Sequence, residues 1–195
     1  NLTNLTYLGL SKYDENLGYS PKEGFNKIIK NALWDNKKVT IDERGFRLND
    51  NNISKKVNKI LAVGDSATFG DQVSNNETWP ACLEKITNIG VLNGGVFGYG
   101  TGQSLLRALN EIEEINNYEY LIVGSYIPDD FHRDRLSYSN GFPKPSLIKE
   151  NGEIKWTKVS DKNKPGTKFN PRPNKFLKFI WQYSFVGSYI MSKNN

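Results

Sequence analysis

VNKILAVGDSATFG, residues 57–70, is the stretch from which the rest of the chain can be read. Its apolar run Ile60-Leu61-Ala62-Val63 is closed at once by Gly64-Asp65-Ser66. A short apolar run bounded by Gly and Asp predicts a buried strand of an α/β sheet. Ser66 then falls just past the strand's carboxyl end, where open α/β sheets place their ligand crevices. A serine at a strand-to-helix turn suits a nucleophile, because backbone N–H groups of the turn can face a developing negative charge.

Outward from this stretch the pattern repeats. Thr78-Trp79-Pro80 predicts a helix start, with Pro where a missing N–H costs nothing. Ala81, Leu83 and Ile86 give that helix an apolar side, Cys82 is expected to pack on it, and Gly90 to end it. Residues 91–93 read as a second strand, 94–102 as a glycine-rich turn, and 103–116 as a helix. Leu105, Leu106, Leu109, Ile112 and Ile115 predict one buried stripe on that helix. Residues 119–127 read as a third strand. Strand, helix, strand, helix, strand implies a parallel sheet covered on both faces.

Residues 1–56 read as a lead-in segment, turn-rich at 16–21 and with a short strand at 37–41. Beyond residue 140, the segment 146–159 alternates around Asn151-Gly152, a strong hairpin signal. A Pro/Lys/Asn-rich loop at 161–173 and a last apolar helix at 174–193, expected to pack on the core, complete a basic extension over 141–195. That helix is too short and too interrupted by Lys178 and Gln182 to read as a transmembrane segment.

The 195 residues allow one domain with an appendage and a real core, at 37% hydrophobic and 12% aromatic content. One cysteine excludes an internal disulfide, and one cysteine with one histidine gives no zinc-ligand spacing. No metal or cofactor is expected: the glycines at 94–102 lack the dinucleotide spacing, and no Gly-Lys-Ser/Thr loop occurs. Net charge is +5, split between 15 basic against 18 acidic residues over 1–140 and 11 against 3 over 141–195. A basic tail of this kind reads first as a solvated face and second as a guide for anionic partners. No aromatic-interleaved nucleic-acid motif accompanies it, so no nucleic acid is expected. The start Asn1-Leu2-Thr3, without Met or a signal-peptide pattern, reads as a processed or trimmed chain and leaves localisation open.

Three blocks in order, GDSATFG at 64–70, VLNGGVFGYGTGQ at 91–103 and LIVGSYIPDDF at 121–131, resemble the SGNH (GDSL-type) hydrolase superfamily. The segment 42–47 resembles the lead-in to the first block in one branch of it. The resemblance implies a flavodoxin-like three-layer α/β/α sandwich spanning 57–140, and an esterase, acyl hydrolase or acyltransferase. It implies Ser66 as nucleophile, with the Ser66 and Gly98 amides in an oxyanion hole and an asparagine side chain as third donor. Asp129 stands where the family has that asparagine. An ionised carboxylate only accepts hydrogen bonds, so Asp129 serves only if protonated, and Asn93 is the other candidate. The family's late Asp-x-x-His is absent, and the expectation is that the chain stops before that block. His132, the single histidine, is the alternative base.

The substrate class so implied is an ester of a carbohydrate or lipid, with a catalytically inactive binding or scaffolding module as the other reading. A phosphate-binding domain outside this superfamily, using the glycine-rich turn, is a third. Asp65 is expected to cap its turn. Arg44 and Arg47 are expected to pair with surface acids rather than with a substrate anion.

Overall fold

The computed structural model describes residues 9–30, 34–50, 58–115, 118–127 and 129–159, and shows a mixed α/β chain with several antiparallel hairpins. The first hairpin joins β1 (Ser11–Asp14) to β2 (Gly18–Pro21), and the second joins β3 (Asn26–Ile29) to β4 (Lys37–Thr40). Asp14 closes the first turn by accepting the N–H groups of Asn16 and Leu17. The turn-rich reading of 16–21 is therefore corrected: Gly18–Pro21 is a wholly buried strand. Tertiary contact overrides local propensity here. Tyr19 stacks on Phe142 and meets Tyr99 edge-on.

The apolar run becomes β5 (Asn58–Gly64), which leads into the one-turn helix α1 (Ser66–Phe69). After a short 3-10 turn comes α2 (Trp79–Thr87), capped by the Thr78 hydroxyl, which accepts the Ala81 N–H. Asn88, in the left-handed conformation, ends α2; Gly90 instead opens β6 (Gly90–Asn93). Ala81 is buried and Leu83 packs on the sheet side, as expected, together with Trp79, Pro80 and Glu84, whereas Cys82 is exposed and Ile86 is 81% exposed. The expectation fails for Cys82 and Ile86 alone. Glu84 lies inward, where its carboxylate accepts the Asn49 amide and the Val91 N–H.

Next come α3 (Thr101–Ile115), β7 (Tyr120–Gly124) and α4 (Asp129–Arg133). β5 lies between β6 and β7, parallel to both. Leu61 and Val63 pack with Ala108, Ile112 and Val123 on one face of this sheet, and Ile60 and Ala62 with Leu83, Trp79 and Val91 on the other. The expected stripe of α3 holds in part: Leu106 and Ile112 pack on the core, but the two other leucines do not. Leu105 is exposed and Leu109 is 55% exposed, whereas Gln103, Ser104, Arg107 and Ala108 face inward. Small and hydrogen-bonded side chains let this helix lie close to the sheet. Gln103 reaches the Leu17 carbonyl and Arg107 the Gly45 carbonyl.

Two ribbons follow: β8 (Tyr138–Ser139) with β9 (Phe142–Pro143), and β10 (Leu147–Glu150) with β11 (Glu153–Trp156). The second turns through Asn151 and Gly152, both at positive φ, as its Asn-Gly pair predicts. The expected loop at 161–173 and helix at 174–193 lie outside the described residues. Among the described residues no helix is long and apolar enough to cross a membrane.

Candidate active site

Ser66 is the first residue of α1 and is half-buried at the carboxyl end of β5. The turn is closed locally. Asp65 Oδ1 accepts the Ala67 N–H at 2.9 Å, while the Ser66 carbonyl accepts from Gly70 and Asp71 at 2.9 and 3.0 Å. Phe69 anchors the turn from below, in a cluster with Phe97, Trp34 and Leu10. Among the described residues the Ser66 hydroxyl has no hydrogen-bond partner, and neither Ser66 nor Gly98 gives its amide hydrogen to a backbone acceptor.

The glycine-rich loop packs directly on this turn. A Cβ on Gly95 would lie 2.2 Å from the Phe69 nitrogen, so only glycine admits the approach. Gly98, at φ +70°, lies under the tip of the β8–β9 ribbon, where a Cβ would stand 2.5 Å from Asn140 Nδ2. Asn140 Nδ2 and the Tyr19 hydroxyl both donate to the Phe97 carbonyl, at 2.9 and 2.8 Å. Burial pushes the Tyr19 phenol up to about 12, so it stays a donor throughout the ordinary pH range. Asn93 is buried, with Oδ1 accepting the Gly95 N–H and Nδ2 donating to the Phe69 carbonyl. Its side chain therefore ties the glycine loop to α1.

The third block contributes two acids of unlike character. Asp130 is buried. Its Oδ2 accepts the Tyr126 N–H at 2.6 Å and its Oδ1 accepts Arg133 Nη1 at 2.6 Å. Burial, and secondarily the charge of Asp65, raises its carboxyl above the usual range. Asp129 is half-buried at the start of α4, and its carboxylate has no hydrogen bond or ion pair among the described residues. His132 is exposed on the same helix.

Arg133 escaped the sequence reading. Its Nη1 also binds Asp65 Oδ2 at 3.1 Å, so one nitrogen holds the acid beside Ser66 and the acid beside Asp129. The signal was present as an acid and an arginine three residues apart on a helix, a spacing that brings side chains together. Lys144, 1% exposed, donates to the Arg133 carbonyl at 2.6 Å, and burial lowers its ammonium to about 8. The two lead-in arginines part company. Arg44 pairs with Glu111 at 3.0 Å, as expected of a surface residue. Arg47 does not pair with a surface acid: it is 2% exposed and donates to the carbonyls of Phe69, Gly70 and Val73 and to Asn75 Oδ1.

Among the described residues no group of three or more His, Cys, Asp or Glu side chains is placed to hold a metal ion. No protein-family model matches the chain, and a search of curated proteins finds no significant match.

Proposed function

We propose that the chain carries an SGNH-type three-layer sandwich and is a serine-dependent O-acyl ester hydrolase or acyltransferase, acting on an esterified glycan or lipid. One observation carries this reading. Among the described residues Ser66 keeps its hydroxyl uncommitted at the carboxyl end of the central strand, while Asp65, Asn93, Asp130 and Arg133 are engaged in hydrogen bonds. Ser66 Oγ attacks the ester carbonyl carbon and its proton passes to a base. The Ser66 and Gly98 amides hold the tetrahedral oxyanion, with a protonated Asp129 or the second amide hydrogen of Asn93 as third donor. Collapse expels the alcohol with a returned proton, and water or an acceptor hydroxyl then takes the acyl group. The base is His132 or a histidine from sequence outside these 195 residues. Tyr126, Ile127 and Phe131, all exposed around Asp129, offer an apolar rim for a sugar ring or acyl chain.

A second reading, a binding module on the same architecture, is favoured by the Asp129 carboxylate, unpaired among the described residues, which repels an oxyanion when ionised. Fluorophosphonate labelling read by intact mass, with Ser66→Ala as control, separates the two. A single adduct lost in Ser66→Ala supports the acyl-transfer reading. No adduct at any pH, with Asp129→Asn equally inert, leaves the binding module.

A further inference from the structure

We propose that Arg133 is a positioning residue for Ser66, coupling the first and third blocks through one guanidinium nitrogen; the proposal rests on Ser66 being the nucleophile. The coupling is a continuous run of bonds. Asp65 divides its carboxylate, with Oδ1 on the Ala67 N–H and Oδ2 on Arg133 Nη1. The same nitrogen binds Asp130 Oδ1, and Asp130 Oδ2 holds the Tyr126 N–H, with the Asp130 N–H returned to the Tyr126 carbonyl at 3.0 Å. The amide next to the nucleophile is thus linked to the loop that leads into Asp129. On the far side, Lys144 grips the Arg133 carbonyl and fixes the backbone from which the guanidinium extends.

Two effects follow from this arrangement. The cap on α1 is held in one rotamer, because turning Asp65 away from Ala67 would break its bond to Arg133. The charge at the site is also reduced. Asp65 and Asp130 are nearly closed to solvent, and without the guanidinium two carboxylates would face each other beside a developing oxyanion. Arg133 is 27% exposed on its side chain and is attached to a five-residue helix, so it reaches the turn from a separate element.

The test compares wild type, Arg133→Met and Arg133→Lys in the full chain by two readouts. One is the second-order rate of fluorophosphonate labelling at Ser66. The other is amide hydrogen exchange of residues 65–70, with residues 34–44 as the internal reference. The expected result is labelling about tenfold slower in Arg133→Met, partly restored in Arg133→Lys, with faster exchange confined to 65–70. Unchanged labelling overturns the proposal, even where exchange rises locally. Slower labelling without faster local exchange overturns it too, since Arg133 then acts by charge alone. Exchange that rises equally in 34–44 makes Arg133 a general stabiliser and also overturns it. If wild-type Ser66 takes no label, the nucleophile reading falls by itself and the exchange readout decides the coupling: local loss of protection supports it, unchanged protection overturns it.

Discussion

The two ends of α1 are each held by an arginine, and the two arginines work in opposite ways. At the amino end Arg133, partly open to solvent, sits between two carboxylates and reaches the turn through Asp65. At the carboxyl end Arg47, closed to solvent, donates to the last carbonyls of the turn, Phe69 and Gly70, at 2.8 and 2.5 Å. It also stacks on the Phe69 ring at 4.8 Å. Arg47 has no carboxylate within ion-pair distance among the described residues, and burial pulls its guanidinium down to about 10, still protonated at neutral pH. Dipoles and a π face stand in for a counter-ion. The contrast separates holding the fold from setting the site. Removing Arg47 strands several buried acceptors, whereas removing Arg133 frees the Asp65 cap and leaves Asp65 and Asp130 without their shared cation.

The largest expected effect tests the buried end. Arg47→Met should lower unfolding free energy by about 3–5 kcal/mol, since carbonyls shielded by the core lose their donor. The check is a urea midpoint at constant slope. A loss below about 1 kcal/mol would break the comparison, because water would then be able to replace the guanidinium. Gly95→Ala comes next, at about 2–3 kcal/mol, because the added methyl meets backbone at 2.2 Å. It should also slow labelling of Ser66, and a variant of wild-type stability would show that α1 can slide.

A smaller effect concerns Lys144. Its folded-state value lies near 8 against an ordinary 10.5, so between those values the unfolded chain binds the proton that the folded chain lacks. Stability from this group therefore rises as pH goes from 8 to 10, by roughly 2 kcal/mol, and the burial penalty is fully present below pH 8. Lys144→Met should remove that slope in thermal melts over pH 7–10. A slope retained in the variant would assign it elsewhere. The smallest effect sharpens what burial contributes. Arg44 resembles Arg47 in sequence and stacks on an aromatic ring, Phe46, yet its side chain is 41% exposed and pairs with the Glu111 carboxylate. Arg44→Ala should cost under about 1 kcal/mol by the same urea measurement, less still in high salt.

Local features were legible because a few neighbouring residues decide them. The β5 run, the Thr78 cap, the Asp65 cap and the Asn151-Gly152 turn each depend on side chains within about four positions. Other features escaped because their partners are distant. Nothing near Tyr19 predicts its stack on Phe142, and nothing near Arg47 distinguishes it from Arg44. The stripe of α3 was right for Leu106 and Ile112 and misled for Leu105 and Leu109. Periodicity names the apolar face of a helix, but the inward side was decided by how closely Ser104 and Ala108 let α3 approach the sheet.

By itself the sequence determined the alternation of strands and helices, the place of Ser66 after the first strand of the sheet, and the glycines that a tight second loop requires. Hydrophobic run length, turn chemistry and cap residues act over short distances, so the order of residues carries them. Only the tertiary structure decided which polar groups are committed and which are free. Among the described residues Asp130 is bound and Asp129 is not, although the two are adjacent. Asn93 was drawn into the scaffold, and an arginine 68 residues away came to rest on the acid beside Ser66. These outcomes follow from burial, which requires each enclosed polar atom to find a partner wherever the fold brings one within reach.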